Sequence, residues 1–126
     1  MLIVENLSKQ VSGTSILKSI SFSVPRGGIA VFLGCSGAGK TTLLRILNNL
    51  ESFDTGRFTL DGLDLDLNRN NKSLHIGMVF QHFNLFENLS VERNITLPLV
   101  LQGVLEEKAH EVSDGLLAKY GLLEKK

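Results

Sequence analysis

The chain has 126 residues, with 13 Lys+Arg against 13 Asp+Glu, 43% hydrophobic and 21% charged residues. This composition excludes a disordered chain and lacks the basic excess of a nucleic-acid binder, and the length suits one globular domain with a real core. A lone Cys35 excludes an intramolecular disulfide, no apolar run reaches the ~20 residues that cross a bilayer, and the N-terminus lacks a signal peptide's basic and apolar regions, so a soluble cytoplasmic protein is expected.

Leu2-Ile3-Val4 opens the first predicted strand. Residues 16–24 form the second, with Ile20, Phe22 and Val24 alternating against polar neighbours as in a half-buried strand, closed by a turn at Pro25-Arg26-Gly27-Gly28. Residues 29–33, Ile-Ala-Val-Phe-Leu, are apolar throughout, as in a strand buried on both faces of a parallel sheet. The period then changes: Leu43, Ile46, Leu47 and Leu50, widened by Leu44, predict the stripe of an amphipathic helix. Residues 55–62 read as a short strand between turns, and 76–80 as another buried strand. Ser90 is placed to cap a helix from Val91, which Pro98 should kink or end. Leu105, Ala109, Val112 and Leu116 predict the apolar stripe of a last helix, with Lys119 in its final turn and Gly121 as its C-cap. The fold class expected is α/β with an antiparallel portion near the N-terminus.

Gly34-Cys35-Ser36-Gly37-Ala38-Gly39-Lys40-Thr41 fits G-x-x-x-x-G-K-[ST] at every fixed position, between an apolar strand pattern and a helical one. Glycines let the backbone curl round an anion, successive amides to about Thr42 can face phosphate oxygens, and the helix start adds the positive end of its dipole. In such a loop Lys40 reaches the β- and γ-phosphates, the Thr41 hydroxyl ligates Mg²⁺, and Thr42 can donate to the α-phosphate. A plain strand-to-helix turn is the alternative, and the Lys-Thr pair weighs against it.

Glu5-Asn6-Leu7-Ser8-Lys9, residues 16–22, the loop, Met78-Val79-Phe80-Gln81-His82-Phe83-Asn84-Leu85-Phe86 and residues 89–95 together resemble the ATP-binding subunit of an ABC transporter. The 81–86 wording is most like the ATPases of polar amino-acid importers, and the resemblance runs from Leu2 to about Leu123. It implies a P-loop NTPase fold with an incomplete core sheet, in which 1–126 is the N-terminal part of the domain: phosphate loop 34–41, Q-loop 80–86, helices from about 90. ATP and Mg²⁺ are the implied cofactors, with nucleotide on residues 34–42 and Gln81, and metal on Thr41 and Gln81. The implied partners are a membrane subunit, met through the Q-loop, and a second ATP-binding subunit, with the assembly peripheral at the inner face of the membrane. A neutral amide such as Gln81 contacts metal or water without adding charge. The family's aromatic adenine platform is replaced by Val11. Its signature motif Leu-Ser-Gly-Gly-Gln, its Mg²⁺-linked Asp with the general-base Glu, and its switch histidine do not occur in the 126 residues, so hydrolysis by this chain alone is not expected. The family's later strands lie between the phosphate-loop strand and the Q-loop strand, which leaves Val31, Leu33, Ile76 and Val79 short of neighbours.

The other readings weigh less. A regulatory nucleotide-binding module without catalysis, or the non-functional product of a disrupted gene, remain the alternatives. Asn71-Lys72-Ser73-Leu74 lacks the Asp of a GTPase base-recognition motif, and residues 68–72 are too poor in arginine for a kinase lid. His75, His82 and His110 read as a strand-start, a loop and a polar-face residue, with no metal-ligand spacing.

Overall fold

The computed structural model describes residues 1–65 and 76–126, in two compact units, Met1–Met78 and Val79–Lys126. His75 and the 68–72 and 71–74 stretches lie outside the described residues.

The first unit is built on a four-stranded antiparallel sheet ordered β2-β1-β3-β4, with β1 at Leu2–Val11, β2 at Thr14–Val24, β3 at Thr55–Leu60 and β4 at Leu63–Asp64. Ser12 and Gly13 both take positive φ, the two-residue turn whose twist matches a β-hairpin, and Val11 pairs with Thr14 across it. The alternation expected of β2 holds: Ile20, Phe22 and Val24 are part-buried and their neighbours exposed. A bulge interrupts the ladder where Asn6 and Ser19 take positive φ. The Asn6 amide donates to Ser21 Oγ at 2.9 Å, and the Ser19 amide donates to Ser8 Oγ at 2.9 Å. The Pro25 turn also forms as expected, closed by the Gly28 amide on the Pro25 carbonyl at 3.0 Å.

Helix α1, Lys40–Leu47, buries Leu43, Ile46 and Leu47 against Val4, Leu7, Leu17, Phe58 and Leu65. Leu44 and Leu50 are half-exposed, narrowing the expected stripe. The helix ends at Leu47 because Asn49 turns left-handed: its amide bonds Ile46 O at 3.0 Å and the Leu50 amide bonds Arg45 O at 2.8 Å, a Schellman closure that carries Leu50 off the helical face.

Two expected buried strands are corrected. Residues 29–33 and 76–80 join no ladder among the described residues. Ile29, Val31 and Leu33 are 91%, 73% and 91% exposed, and Val79 is 98% exposed. Only their alternate residues find the core: Phe32 meets Phe22 edge-on, ring centroids 5.0 Å apart, and Ile76 packs against the cluster. An apolar run becomes a buried strand only where strands flank it, and the described sheet runs β2-β1-β3-β4 without these segments.

The second unit is a helical hairpin, α2 at Val91–Leu101 and α3 at Glu106–Lys119, followed by a short 3-10 turn at Leu123–Lys125. Ser90 caps α2 as expected, its Oγ accepting from the Arg93 amide at 3.1 Å. Pro98 does not end the helix, which runs on to Leu101; proline's φ is helical, only its own amide bond is lost, and Gln102 N still reaches Pro98 O at 3.2 Å. The buried face of α3 is Ala109, Ser113 and Leu117, whereas Leu105, Val112 and Leu116 are 78%, 41% and 39% exposed. This correction has a steric cause. Thr96 of α2 is fully buried, and the small side chains of Ala109 and Ser113 allow the close approach that bulkier leucines would prevent. Gly121, with positive φ, follows the C-cap Tyr120 and ends α3 as expected. His110 Nδ1 lies 2.8 Å from Glu92 Oε1, which Lys126 also approaches at 3.1 Å. These partners, His110 first, hold the Glu92 carboxyl below its ordinary range.

Asp61, in the β3–β4 turn, is held down to about 2 from 3.8, first by the terminal amine of Met1 and then by Arg26, whose Nη2 lies 3.0 Å away. A depressed carboxylate adds stability above its unfolded value and loses it as pH falls through the folded one, here between 3.8 and about 2. In a carboxyl-carbon NMR titration, Arg26→Ala should move the Asp61 midpoint upward toward 3.8. A midpoint unmoved by the substitution would show that Arg26 has no part in it.

Candidate phosphate-binding site

Residues 34–42 come together at the start of α1. The Ala38 amide donates to Cys35 O at 3.1 Å, closing a turn, and Gly37 and Gly39 take φ of 82° and 90°. At Gly39 a Cβ would stand 3.0 Å from the Ile16 carbonyl and 3.1 Å from Leu17 Cδ2, so glycine is required both for its backbone and for the close approach of β2. A Cβ at Gly34 would press on Ala38 Cβ at 3.2 Å.

The Lys40 amine folds back into the loop and donates to the carbonyls of Gly34 and Cys35, the second at 2.8 Å. Among the described residues it meets no carboxylate. Helix α1 carries no side-chain cap and no acidic residue in its first turn. The amides of that turn have no intrahelical partner, and the dipole makes them the positive end. The residues present therefore fit an oxyanion: a curled backbone, uncapped amides and an uncompensated cation converge on one exposed loop. Thr41 is exposed and Thr42 part-buried beside it, so the Thr41 hydroxyl is open to a metal. Cys35 is a free, exposed thiol in the same loop.

The remaining sequence-derived residues lie elsewhere. Val11 is 47% exposed at the end of β1, beside the hairpin turn. Gln81 is exposed at a bend in the second unit, followed by Phe83, Leu85 and Phe86 at 88%, 65% and 56% exposure. One side chain fastens the turn from Phe86 to Ser90: Asn94 Oδ1 accepts from the Phe86 amide at 2.8 Å, and its Nδ2 donates to the carbonyls of Phe86 at 3.1 Å and Ser90 at 3.0 Å. The sequence carries a signal for this role that its motif alone does not give: an Asn at the fourth residue of a capped helix is well spaced to reach back over the preceding turn. His82 is exposed in its loop. Among the described residues no three His, Cys, Asp or Glu gather as a metal site, and no helix is long and apolar enough to cross a membrane.

Residues 17–126 match the ABC transporter family. The chain is 43% identical to the methionine import ATP-binding protein MetN of Pasteurella multocida, covering 100% of this chain and 39% of that protein. It is 37% identical to the glutamine transport ATP-binding protein GlnQ of Escherichia coli, covering 99% and 54%. Among solved structures, the dimeric post-hydrolysis state of the ATP-binding cassette MJ0796 bound to ADP and Pi superposes with a TM-score of 0.79 at 25% identity, over 94% of this chain and 56% of that one. The chain thus spans 39% and 54% of the length of these two curated relatives.

Proposed function

Since the chain belongs to the ABC transporter family and carries part of its P-loop NTPase α/β fold, we propose that residues 34–42 bind the phosphates of ATP. In this reading 1–126 is the N-terminal part of one ATP-binding domain, serving an importer of amino acids. The observation that carries it is the loop at the uncapped start of α1, where among the described residues Lys40 meets only neutral carbonyls. Lys40 supplies a point charge to the terminal phosphates, the amides from Gly37 to Thr42 hold the chain of oxygens, and Thr41 offers its hydroxyl to Mg²⁺. The metal, when bound, neutralises charge on the phosphates. Gln81 is proposed as a further contact to metal or water, on the resemblance of its motif alone.

Binding rather than hydrolysis is the activity proposed for these 126 residues. Orienting an attacking water and stabilising a transferring phosphoryl group need the general-base Glu, switch His and signature motif, none of which occurs in the sequence. The exposed faces of 29–33 and 79 support a core sheet that other strands complete. A membrane subunit is the proposed partner of the 80–86 segment, whose Phe83, Leu85 and Phe86 are exposed; a second ATP-binding subunit is proposed on the resemblance. The location proposed is the cytoplasmic face of the membrane.

Calorimetry with Mg-ATP tests the reading, and Cys35 provides an independent reporter. Bound nucleotide should slow alkylation of Cys35 by occlusion and negative charge. An alkylation rate unaffected by saturating Mg-ATP would place the thiol, and the loop, outside a nucleotide site.

A further inference from the structure

Lys9 stands in β1 at the same alternation as Leu7, facing inward, and is only 7% exposed. Lysine is almost never buried without a partner. Its amine donates to the Ser52 carbonyl at 2.5 Å and lies 3.3 Å from Glu51 Oε1. The other carboxylate oxygen of Glu51 lies 3.4 Å from Nε of Arg45, in the last turn of α1. Two further bonds stitch the same segment to β1: the Gln10 amide donates to Asp54 Oδ2 at 2.7 Å, and the Asp54 amide donates to Ser8 O at 2.9 Å. The exit of α1 is therefore fastened to β1 by a buried cation, while the entrance of α1 rests on β2, where Gly39 abuts Ile16. With 8 residues, α1 has little length over which to absorb a shift at either end.

We propose that Lys9 is a positioning residue: through Glu51 and Arg45 it holds α1, and with it the 34–42 loop, in place against the β1–β2 hairpin. The consequence for nucleotide rests on the phosphate-binding reading of that loop; the consequence for the loop itself does not. Lys9→Met keeps the aliphatic stem and removes the donor, leaving Ser52 O without its bond from Lys9 and Glu51 paired with Arg45 alone. Lys9→Arg restores a cation and donors.

The test uses the intact 126-residue chain, well below its melting temperature, with three readouts. Amide hydrogen exchange in α1 should quicken about tenfold or more in Lys9→Met, while the Leu2-to-Val4 end of the hairpin stays within about twofold and Lys9→Arg recovers most of the protection. Alkylation of Cys35 in nucleotide-free protein should quicken with it, reading the loop directly. Affinity for Mg-ATP and for inorganic tripolyphosphate should fall together, about tenfold. Should Lys9→Met fail to fold, Glu51→Gln carries the same test, since it leaves the Lys9–Ser52 bond in place. Exchange that rises equally throughout the sheet, unchanged Cys35 reactivity, or α1 loosened with wild-type phosphate affinity would each overturn the proposal. A wild-type chain that binds no Mg-ATP would instead overturn the phosphate-binding reading, with the positioning role decided by exchange and alkylation.

Discussion

Lys40→Ala should weaken Mg-ATP binding about tenfold to a hundredfold. A hydrogen bond to a charged group contributes about 1.5–3 kcal/mol, and each 1.4 kcal/mol is a factor of ten. The substitution should leave the fold intact, because among the described residues the Lys40 amine bonds only to the Gly34 and Cys35 carbonyls of its own exposed loop. Melting temperature therefore separates a lost contact from a lost structure, and isothermal titration of both proteins reads the affinity. Equal affinities would remove Lys40 from the site and the phosphate-loop assignment with it. The same variant serves as the contamination control for phosphate release, for which the wild-type chain should stay at the level of Lys40→Ala.

Gly56→Ala should be the most damaging small substitution in the sheet. Gly56 takes φ +102° where β3 crosses the β1 bulge, and a Cβ there would stand 2.5 Å from Asn6 O and 2.6 Å from Leu7 Cα. Both are backbone atoms and cannot swing away, so the β1–β3 pairing itself must shift. Gly62→Ala is the matched comparison, with φ +81° and open space around the new methyl. It bears only the left-handed cost of about 1–2 kcal/mol. Gly56→Ala should cost about 4 kcal/mol, the scale reserved for disrupted architecture. Denaturant melts of the two variants would settle the comparison, and similar midpoints would mean that β3 can slide past β1.

The curled backbone before α1 was legible because it is local: glycines at fixed spacing announce the turn, and Gly37 and Gly39 take the positive φ that it needs. Strand β2 was legible for a similar reason, since alternation at Ile20, Phe22 and Val24 reports which face meets the core. Residues 29–33 show the limit of such reading. Their apolar run states that the segment is suited to burial, whereas burial itself depends on strands elsewhere. In α3 the predicted stripe of Leu105, Ala109, Val112 and Leu116 shares only Ala109 with the buried face, because close helix approach at Ala109 and Ser113 turns Leu117 inward instead. Lys9 was hidden by its type: a lysine in a strand reads as solvent-facing, and only its place two residues after Leu7 hints that it points inward.

The order in which the sheet must assemble follows from its connections. β1 and β2 meet across a two-residue turn, a closure on the scale of 1–10 μs for hairpins. β1 and β3 meet across a far longer loop, with Glu5 and Arg57 52 residues apart in sequence. Everything that makes the phosphate loop and α1 lies inside that loop, between β2 and β3. Long-range pairing of this kind is kinetically slow, because the entropy of closing the loop is lost before the contacts form. The 34–42 loop and α1 therefore mature late, after the hairpin they rest on, and on the proposed reading nucleotide recognises only those molecules in which the third strand has already closed.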